Sequence, residues 1–375
     1  MNDAAPLIRL DEIDRRIVAA LQADPRGSWA QLAGVVGVSE TTVLRRTQRL
    51  RETGALIVVA APDPLRCGFG QPVLLQFRTV PGEAAKLGHY LAQRQDVRYV
   101  SLLTGRMDVM CELIAPDRRY LSQVLTLDLP ETGSVVSSTT DIVLRRFKTK
   151  DQWSHELLAP QAHPVAEPAP PAPTTERVSP LDDMDMRLLA ALRQDGRRSY
   201  ADLSHDLGLS ETAVARRSTA LAGSNRLYFV AMVEPGALGF EFEVMVHLRV
   251  EPSAIESIAI SLAARAEVRY MSATTGHSDL TCDAIFRDTE ALYHFVTHTV
   301  GSMRGVRDIE VDVVLESLKR EYRYPLFQPE PSTRGPRHVA KGDRATGPQP
   351  AAKAAKTAPR QASPNRTRAR PAPTQ

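Results

Sequence analysis

The apolar residues near the start of the chain repeat with the period of an α-helix. They fall at positions i, i+4, i+7 and i+8 along one stripe: Ile13, Ile17, Ala20 and Leu21. Asp11 precedes this stripe and is placed to cap the helix. Ser28 and Gln31 have the spacing of a capping box, which predicts a second helix ending near Gly37.

A third helix is predicted from Ser39, its N-cap, to about Thr53. Its inward positions are Val43, Thr47 and Leu50. Three helices with a short turn at Gly37 form a helix-turn-helix. The run LIVVAA at 56–61 is rich in β-forming residues and predicts a strand or wing.

Beyond residue 70 the pattern changes to short β-rich runs that alternate with helical segments. The predicted order is strand, helix, strand, strand, helix, strand, at 72–79, 83–94, 97–104, 108–115, 117–127 and 134–147. A tight turn at Gly105 separates the two central strands. This βαββαβ order is the ferredoxin-like arrangement.

The whole pattern recurs 171 residues later without a gap. LDEIDRRIVAAL (10–21) matches LDDMDMRLLAAL (181–192), and SETTVLRRTQRL (39–50) matches SETAVARRSTAL (210–221). The predicted fold class is therefore α+β, with two copies of a winged helix-turn-helix followed by a ferredoxin-like domain.

The domain boundaries follow from the repeat and from composition. The expected domains are a helix-turn-helix at 1–60, a ferredoxin-like domain at 61–158, and their second copies at 181–231 and 232–327. A Pro/Ala-rich linker at 159–180 would span about 65 Å if extended. The tail at 328–375 is basic and predicted to be disordered; it is either a DNA-tethering arm or a solubilising extension.

Composition narrows the class of protein further. The formal net charge is +3, which by itself does not identify a nucleic-acid partner. Cys67, Cys111 and Cys282 form no CxxC pair, which favours a reducing, cytoplasmic compartment. The sequence predicts no signal peptide, membrane span, cofactor or metal site, and His294 and His298 lack a third ligand nearby.

Both copies resemble the Lrp/AsnC family of transcription regulators. The resemblance rests on the two matched helices quoted above, Gly68-Phe69 and Gly239-Phe240, and a TG-x-x-D hairpin in each copy. It implies a helix-turn-helix joined to a ferredoxin-like, ligand-sensing RAM domain. It further implies double-stranded DNA and a small effector, such as an amino acid, as partners. The two halves are expected to form an internal pseudo-dimer, with further homo-oligomers possible.

The helix starting at Ser39 carries the predicted DNA contacts, since arginine, glutamine and hydroxyl side chains bind bases or phosphates. The candidates are Ser39, Glu40, Thr41, Thr42, Leu44, Arg45, Arg46, Gln48 and Arg49, with Ser210, Thr212, Arg216 and Arg217 in the second copy. Arg46 has two possible roles, a DNA contact or an internal ion pair with a residue such as Asp14. Because Arg49 and Arg51 become alanines in copy 2, the first helix is expected to dominate binding.

The TG-x-x-D hairpins have two interpretations. Their residues are Thr104, Gly105 and Asp108 in copy 1, and Thr275, Gly276 and Asp279 in copy 2. One interpretation is local hairpin chemistry, in which aspartate binds backbone amides. The other, implied by the family resemblance, is an effector cleft between the paired modules.

Three functions compete at this stage. The favoured function is a sequence-specific transcription regulator modulated by an effector. A tetrapyrrole decarboxylase of the siroheme type is the enzyme alternative, because such enzymes resemble these regulators in fold. A regulator that has lost its effector is the third.

Overall fold

The computed structural model describes residues 9–129, 133–149 and 181–320. The predicted linker and basic tail lie outside these residues. Every element predicted from the repeat within the described parts is present.

Each copy begins with three helices, as the sequence predicts. In copy 1 they are α1 (Glu12–Ala23), α2 (Trp29–Val36) and α3 (Glu40–Glu52). Asp11 and Asp14 form a capping box at α1, Ser28 and Gln31 form one at α2, and the Ser39 side chain accepts from the Thr42 amide. The buried face of α3 consists of the three predicted residues, Val43, Thr47 and Leu50.

The strand after α3, β1 (Leu56–Pro62), is followed in copy 1 by the elements of the ferredoxin-like domain. These are β2 (Gln71–Thr79), α4 (Ala84–Gln93), β3 (Val97–Leu103), β4 (Val109–Ala115), α5 (Arg118–Gln123) and β5 (Val135–Lys148). A π-helical turn at Val124–Asp128 extends α5. The strand order β3-β4-β2-β5 is that of a ferredoxin-like sheet.

Copy 2 repeats the same elements. The helices are α6 (Asp183–Gln194), α7 (Tyr200–Leu207) and α8 (Glu211–Gly223), followed by strand β6 (Leu227–Val233). Its ferredoxin-like domain comprises β7 (Phe242–Val250), α9 (Ile255–Ala263), β8 (Val268–Thr274), β9 (Leu280–Phe286), α10 (Thr289–His294) and β10 (Val306–Lys319). A π-helical turn at Phe295–Val300 follows α10.

The strand after each helix-turn-helix pairs with its counterpart in the other copy. β1 and β6 form an antiparallel two-stranded sheet in which Val59 lies opposite Val230. These two valines are equivalent under the 171-residue repeat, so a pseudo-twofold axis passes between them. The wing expected after each helix-turn-helix is therefore one ribbon shared by both copies.

The two ferredoxin-like sheets also join each other. β5 pairs with β8, and β10 pairs with β3, which closes an eight-stranded barrel from four strands of each copy. Each long C-terminal strand thus begins in its own sheet and ends in the sheet of the other copy. Strands of the two halves therefore pair in the β1–β6 ribbon and again in the barrel.

Candidate DNA interface and inter-copy sites

The exposed face of α3 lies opposite its buried stripe. Since a helix turns by about 100° per residue, Thr41, Arg45 and Gln48 lie on the side away from Val43, Thr47 and Leu50. All three outward side chains are exposed. Leu44, beside them, is 43% exposed.

Arg46 forms an ion pair inside the helix-turn-helix. Its Nη1 atom lies 2.6 Å from Asp11 Oδ2 and 3.0 Å from Asp14 Oδ1. Asp14 is buried, with 1% of its surface exposed. Of the two roles open for Arg46, the structure therefore shows the internal ion pair, which ties α3 to the start of α1.

The additional arginines of α3 are also paired with acids. Arg49 donates to Asp14, and Arg51 lies 2.6 Å from Asp195 of copy 2. Copy 2 has alanine at both positions, whereas copy 1 pairs both arginines with acids. Because both acids have counterparts in the other copy, Asp185 and Asp24, the net difference of two arginines remains, and a dominant first helix stays a prediction.

Copy 2 reproduces the arrangement of copy 1 around α8. Arg217 lies 2.8 Å from Asp182 and 2.6 Å from Asp185, as Arg46 does from its two aspartates. Arg216, like Arg45, is exposed. The Ser210 side chain accepts from the Ala213 amide and its hydroxyl lies 3.1 Å from that of Thr212. Both recognition helices therefore present one serine, one threonine and one arginine in equivalent positions.

Two equivalent arginines join the helix-turn-helix units across the pseudo-twofold axis. Arg26 donates to the carbonyl of Gly196 at 2.6 Å, and Arg197 donates to the carbonyls of Pro25 and Gly27 at 2.7 and 2.8 Å. Arg197 also stacks 3.9 Å from the ring centre of Trp29. These contacts fix the position of one recognition helix relative to the other.

The TG-x-x-D hairpins lie where the two copies meet in the barrel. The amide of Thr104 donates to Val313 O at 2.8 Å, and the Val313 amide donates to the Thr104 hydroxyl at 3.2 Å. Thr275 makes the equivalent pair of hydrogen bonds with Ile142, at 2.9 and 2.8 Å. The two threonines are thus inter-copy contacts.

The aspartates of these hairpins bind the backbone of their own copy. Asp108 Oδ2 accepts from the Thr79 amide at 2.7 Å and from its hydroxyl at 3.0 Å. Asp279 Oδ2 accepts from the Val250 amide at 2.8 Å. These amides lie 29 residues away, at the end of the neighbouring strand, so each aspartate ties its hairpin to that strand and does not bind amides within the turn.

The hairpin glycines instead face a carboxylate of the other copy. Gly105 has a φ of +118°, and a Cβ atom there would lie 1.9 Å from Asp312 Oδ1. Gly276 has a φ of +95°, and its Cβ would lie 1.8 Å from Asp141 Oδ1. A larger residue would displace each carboxylate, so glycine is required by both backbone angle and space.

Asp312 and Asp141 are the residues of this region that sequence reasoning did not assign to a site. They are 1% and 2% exposed. Within the described residues, the backbone amides of Arg106 and His277 face Asp312 and Asp141, but without the geometry of a full hydrogen bond to either Asp312 oxygen or to Asp141 Oδ1. Burial raises the pKa of Asp312 to about 6, against the opposing effect of the Arg106 amide, and burial likewise raises the pKa of Asp141. The sequence signal that could have identified them is an aspartate at the same strand position in both copies.

The two inter-copy sites differ in the side chain next to the aspartate. His247 Nε2 lies 3.8 Å from Asp312 Oδ2, and His247 is 4% exposed. Burial, with Arg106 and His277 nearby, lowers the pKa of His247 to about 4. The equivalent residue in copy 1 is Gln76, which is neutral at every pH. The two sites are therefore chemically distinct.

The remaining candidates from the sequence carry no site geometry. The three cysteines are buried and burial raises the pKa of each thiol. His294 and His298 stack at 4.5 Å, and within residues 9–129, 133–149 and 181–320 there is no cluster of three or more metal-ligating side chains. In the same ranges, no helix is long and apolar enough to cross a bilayer.

Comparison with known proteins agrees with this architecture. The AsnC-type helix-turn-helix domain matches residues 10–51 and 181–221, and the Lrp/AsnC ligand binding domain matches 73–153 and 243–324. Together with the fold, these matches define a helix-turn-helix, DNA-binding transcription regulator. The chain belongs to the Lrp/AsnC family, as a tandem duplication of the family's two-domain unit.

Individual relatives match one copy each. The chain is 30% identical over 147 residues to the HTH-type transcriptional regulator Ptr1 of Methanocaldococcus jannaschii, covering 39% of this chain and 99% of that protein. It is 27% identical over 148 residues to the HTH-type transcriptional regulator FL11 of Pyrococcus horikoshii, covering 39% and 97%.

Solved structures of one enzyme match both copies together. The siroheme decarboxylase NirDL superposes with a TM-score of 0.59 at 15% identity, covering 85% of this chain and 95% of that one. At this identity the match shows a shared tandem fold alone.

Proposed function

We propose that this regulator binds specific DNA sites through both recognition helices and that a small effector, such as an amino acid, binds between its two ferredoxin-like domains. The observation that carries the proposal is the pair of exposed, equivalent arginines, Arg45 and Arg216, on helices held in a fixed relation. A dimeric helix-turn-helix protein needs such a fixed spacing to reach two successive major grooves.

The effector part rests on the buried carboxylates between the copies. Asp312 and Asp141 lie beside Gly105 and Gly276 with incomplete hydrogen bonding, and a buried carboxylate of this kind can take a ligand, water or ion as a further partner. The ammonium group of an amino acid has the charge and the donors to pair with such a carboxylate. Thr104 and Thr275 contribute through the inter-copy contacts that a bound ligand would alter.

Coupling between effector and DNA would pass through the pairing of the copies. Each effector site includes a hairpin of one copy and a strand of the other, and the β1–β6 ribbon links the same two copies beside the DNA-binding helices. A ligand that shifts one copy against the other therefore changes the separation of α3 and α8.

Footprinting on genomic DNA, with and without each of the twenty amino acids, tests both parts. We expect protected sites at moderate salt and a change in occupancy with at least one amino acid. The matched variants Asp312→Asn and Asp141→Asn should keep the footprint and lose the response. No protected site at any salt concentration would refute the DNA part, and an unchanged footprint with all amino acids would refute the effector part.

A second candidate is supported by the match to a siroheme decarboxylase over 85% of the chain. We infer that this chain acts on DNA instead, because both recognition helices keep an exposed arginine at equivalent positions, Arg45 and Arg216. Titration with iron-uroporphyrin, followed by the shift of its Soret band, tests this inference. A saturable shift at one equivalent would favour the enzyme.

A further inference from the structure

We infer that each chain binds a pseudo-palindromic DNA site in one fixed orientation. Copy 1 then always contacts the same half of the site, here called an arm, and copy 2 contacts the other. This inference rests on the proposed binding of DNA by both recognition helices. It follows from a comparison of the exposed residues of α3 and α8, which are identical at some equivalent positions and different at others.

The agreement lies in the first half of each helix. Glu40 and Thr41 match Glu211 and Thr212, and Arg45 matches Arg216; all six residues are exposed. Residues near the N-terminus of a recognition helix contact base edges in the major groove. Since the pseudo-twofold axis at Val59 and Val230 relates the two helices, these shared residues predict inverted arms with a common core.

The difference lies at positions on either side of the shared arginine. Thr42 becomes Ala213, the 43%-exposed Leu44 becomes Ala215, and Gln48 becomes Thr219. Glutamine can bind adenine with two hydrogen bonds, and leucine can pack on a thymine methyl group. Threonine and alanine are shorter and form neither of these longer contacts. Copy 1 therefore discriminates base pairs that copy 2 does not.

The two copies cannot exchange places without reversing the whole molecule. They are held together by the β1–β6 ribbon, by the closed barrel, and by the reciprocal hydrogen bonds of Arg26 and Arg197. Reversal would place Gln48 and Leu44 on the arm selected by Thr219 and Ala215. Each resulting mismatch weakens binding by about tenfold, so one orientation prevails.

Directed DNA cleavage can measure this orientation. Ala30 and Ala201 are equivalent, exposed residues at the second position of α2 and α7. Because the three native cysteines are buried, Ala30→Cys or Ala201→Cys provides a single reactive thiol for an iron chelate that cleaves nearby DNA. The substrate is a duplex obtained by selection of bound sites from a random pool.

We expect the Ala30→Cys conjugate to cut one arm and the Ala201→Cys conjugate to cut the other, each with about tenfold preference. Equal cutting of both arms by each conjugate, or a perfectly palindromic selected site, would overturn the inference. Failure to select any sequence would instead refute the proposed DNA binding. Both variants should keep the circular dichroism and DNA affinity of the parent.

A variant of copy 2 provides the matched control. Ala213→Thr, Ala215→Leu, Thr219→Gln and Ala220→Arg together give α8 the four candidate DNA contacts that only α3 carries. In this background the selected site should become symmetric and the two arms should be cut equally by the Ala30→Cys conjugate. Retained one-sided cutting would show that these positions do not set the orientation.

Discussion

Asp14 Oδ1, in the first helix, lies 3.0 Å from Arg46 Nη1 in the recognition helix. The second copy reproduces this contact between Asp185 and Arg217 at 2.6 Å. The two adjacent arginines of each recognition helix therefore differ in environment. One forms ion pairs with the first helix of its copy, and its neighbour is exposed.

This difference predicts that two adjacent substitutions change the free energy of unfolding by different amounts. Arg46→Ala should lower the free energy of unfolding by about 1–3 kcal/mol, because it leaves the buried Asp14 with fewer charged hydrogen bonds. Arg45→Ala should change that free energy by less than about 0.5 kcal/mol, as expected for an exposed side chain. Urea denaturation of both variants checks the difference, and equal losses would contradict it.

The DNA affinity of the exposed arginines can be compared between copies. Arg45→Ala and Arg216→Ala should each weaken binding and reduce the slope of log K against log salt by about 1, because each removes a cation able to neutralise one phosphate. Fluorescence anisotropy at several salt concentrations measures both quantities. If Arg216→Ala left affinity and slope unchanged, copy 1 alone would bind DNA, as the arginine count of α3 suggests.

The close approach of the two copies at Gly196 should not tolerate a methyl group. A Cβ atom there would lie 2.8 to 2.9 Å from backbone atoms of Val59, and the Gly196 amide donates to Val58 O at 2.7 Å. Gly196→Ala is expected to destabilise the protein by about 1–3 kcal/mol through overpacking.

Gly223→Ala is the control for this substitution. Its Cβ would meet no atom within 4 Å, and Gly223 ends α8. Because alanine favours the helix, this change should stabilise the protein by up to about 1 kcal/mol. Thermal unfolding of both variants should shift in opposite directions, and a shared direction would refute the packing argument.

His247 and Asp312 should give opposite contributions to stability between pH 4 and 6. The pKa of His247 falls from 6.5 to about 4 on folding, so its contribution is lost as the pH drops through this interval. The pKa of Asp312 rises from 3.8 to about 6, so its contribution is present at low pH and lost as the pH rises.

Single substitutions should separate these two effects. Relative to the parent protein, His247→Gln should gain about 1–3 kcal/mol of stability at pH 4.5 compared with pH 7, and Asp312→Asn should show the reverse trend. Glutamine is the residue that copy 1 carries at the equivalent position, so the substitution fits the fold. Denaturant titrations at pH 4.5, 5.5 and 7 provide the measurement. Two variants with parallel pH trends would contradict the assignment.

Much of the fold was predictable because the determining signals are local or repeated. The capping residues Asp11, Ser28 and Ser39 mark the helix starts, and all three cap as predicted. The predicted strand at 134–147 is observed at Val135–Lys148. Strand pairing between the copies was expected in outline, but the register that places Val59 opposite Val230 was not, since register depends on contacts distant in the chain.

The candidate sites were predictable in part for the same reason. Arg45 is exposed, as an outward position on an amphipathic helix should be, and this follows from periodicity. The pairing of Arg51 with Asp195 joins residues of different copies, and no local pattern indicates it. Asp312 and Asp141 escaped assignment because their significance comes from the glycine that faces each one across the barrel.

By itself the sequence determined the helix-turn-helix, the βαββαβ order and the duplication, because spacing, caps and a gap-free repeat specify them locally. The tertiary structure decided which charges are free and which are neutralised, and which side chains face one another between the copies. Those outcomes depend on the relative placement of segments that are distant in the chain, either within one copy or between the two copies, where burial and distance set the strength of every electrostatic contact.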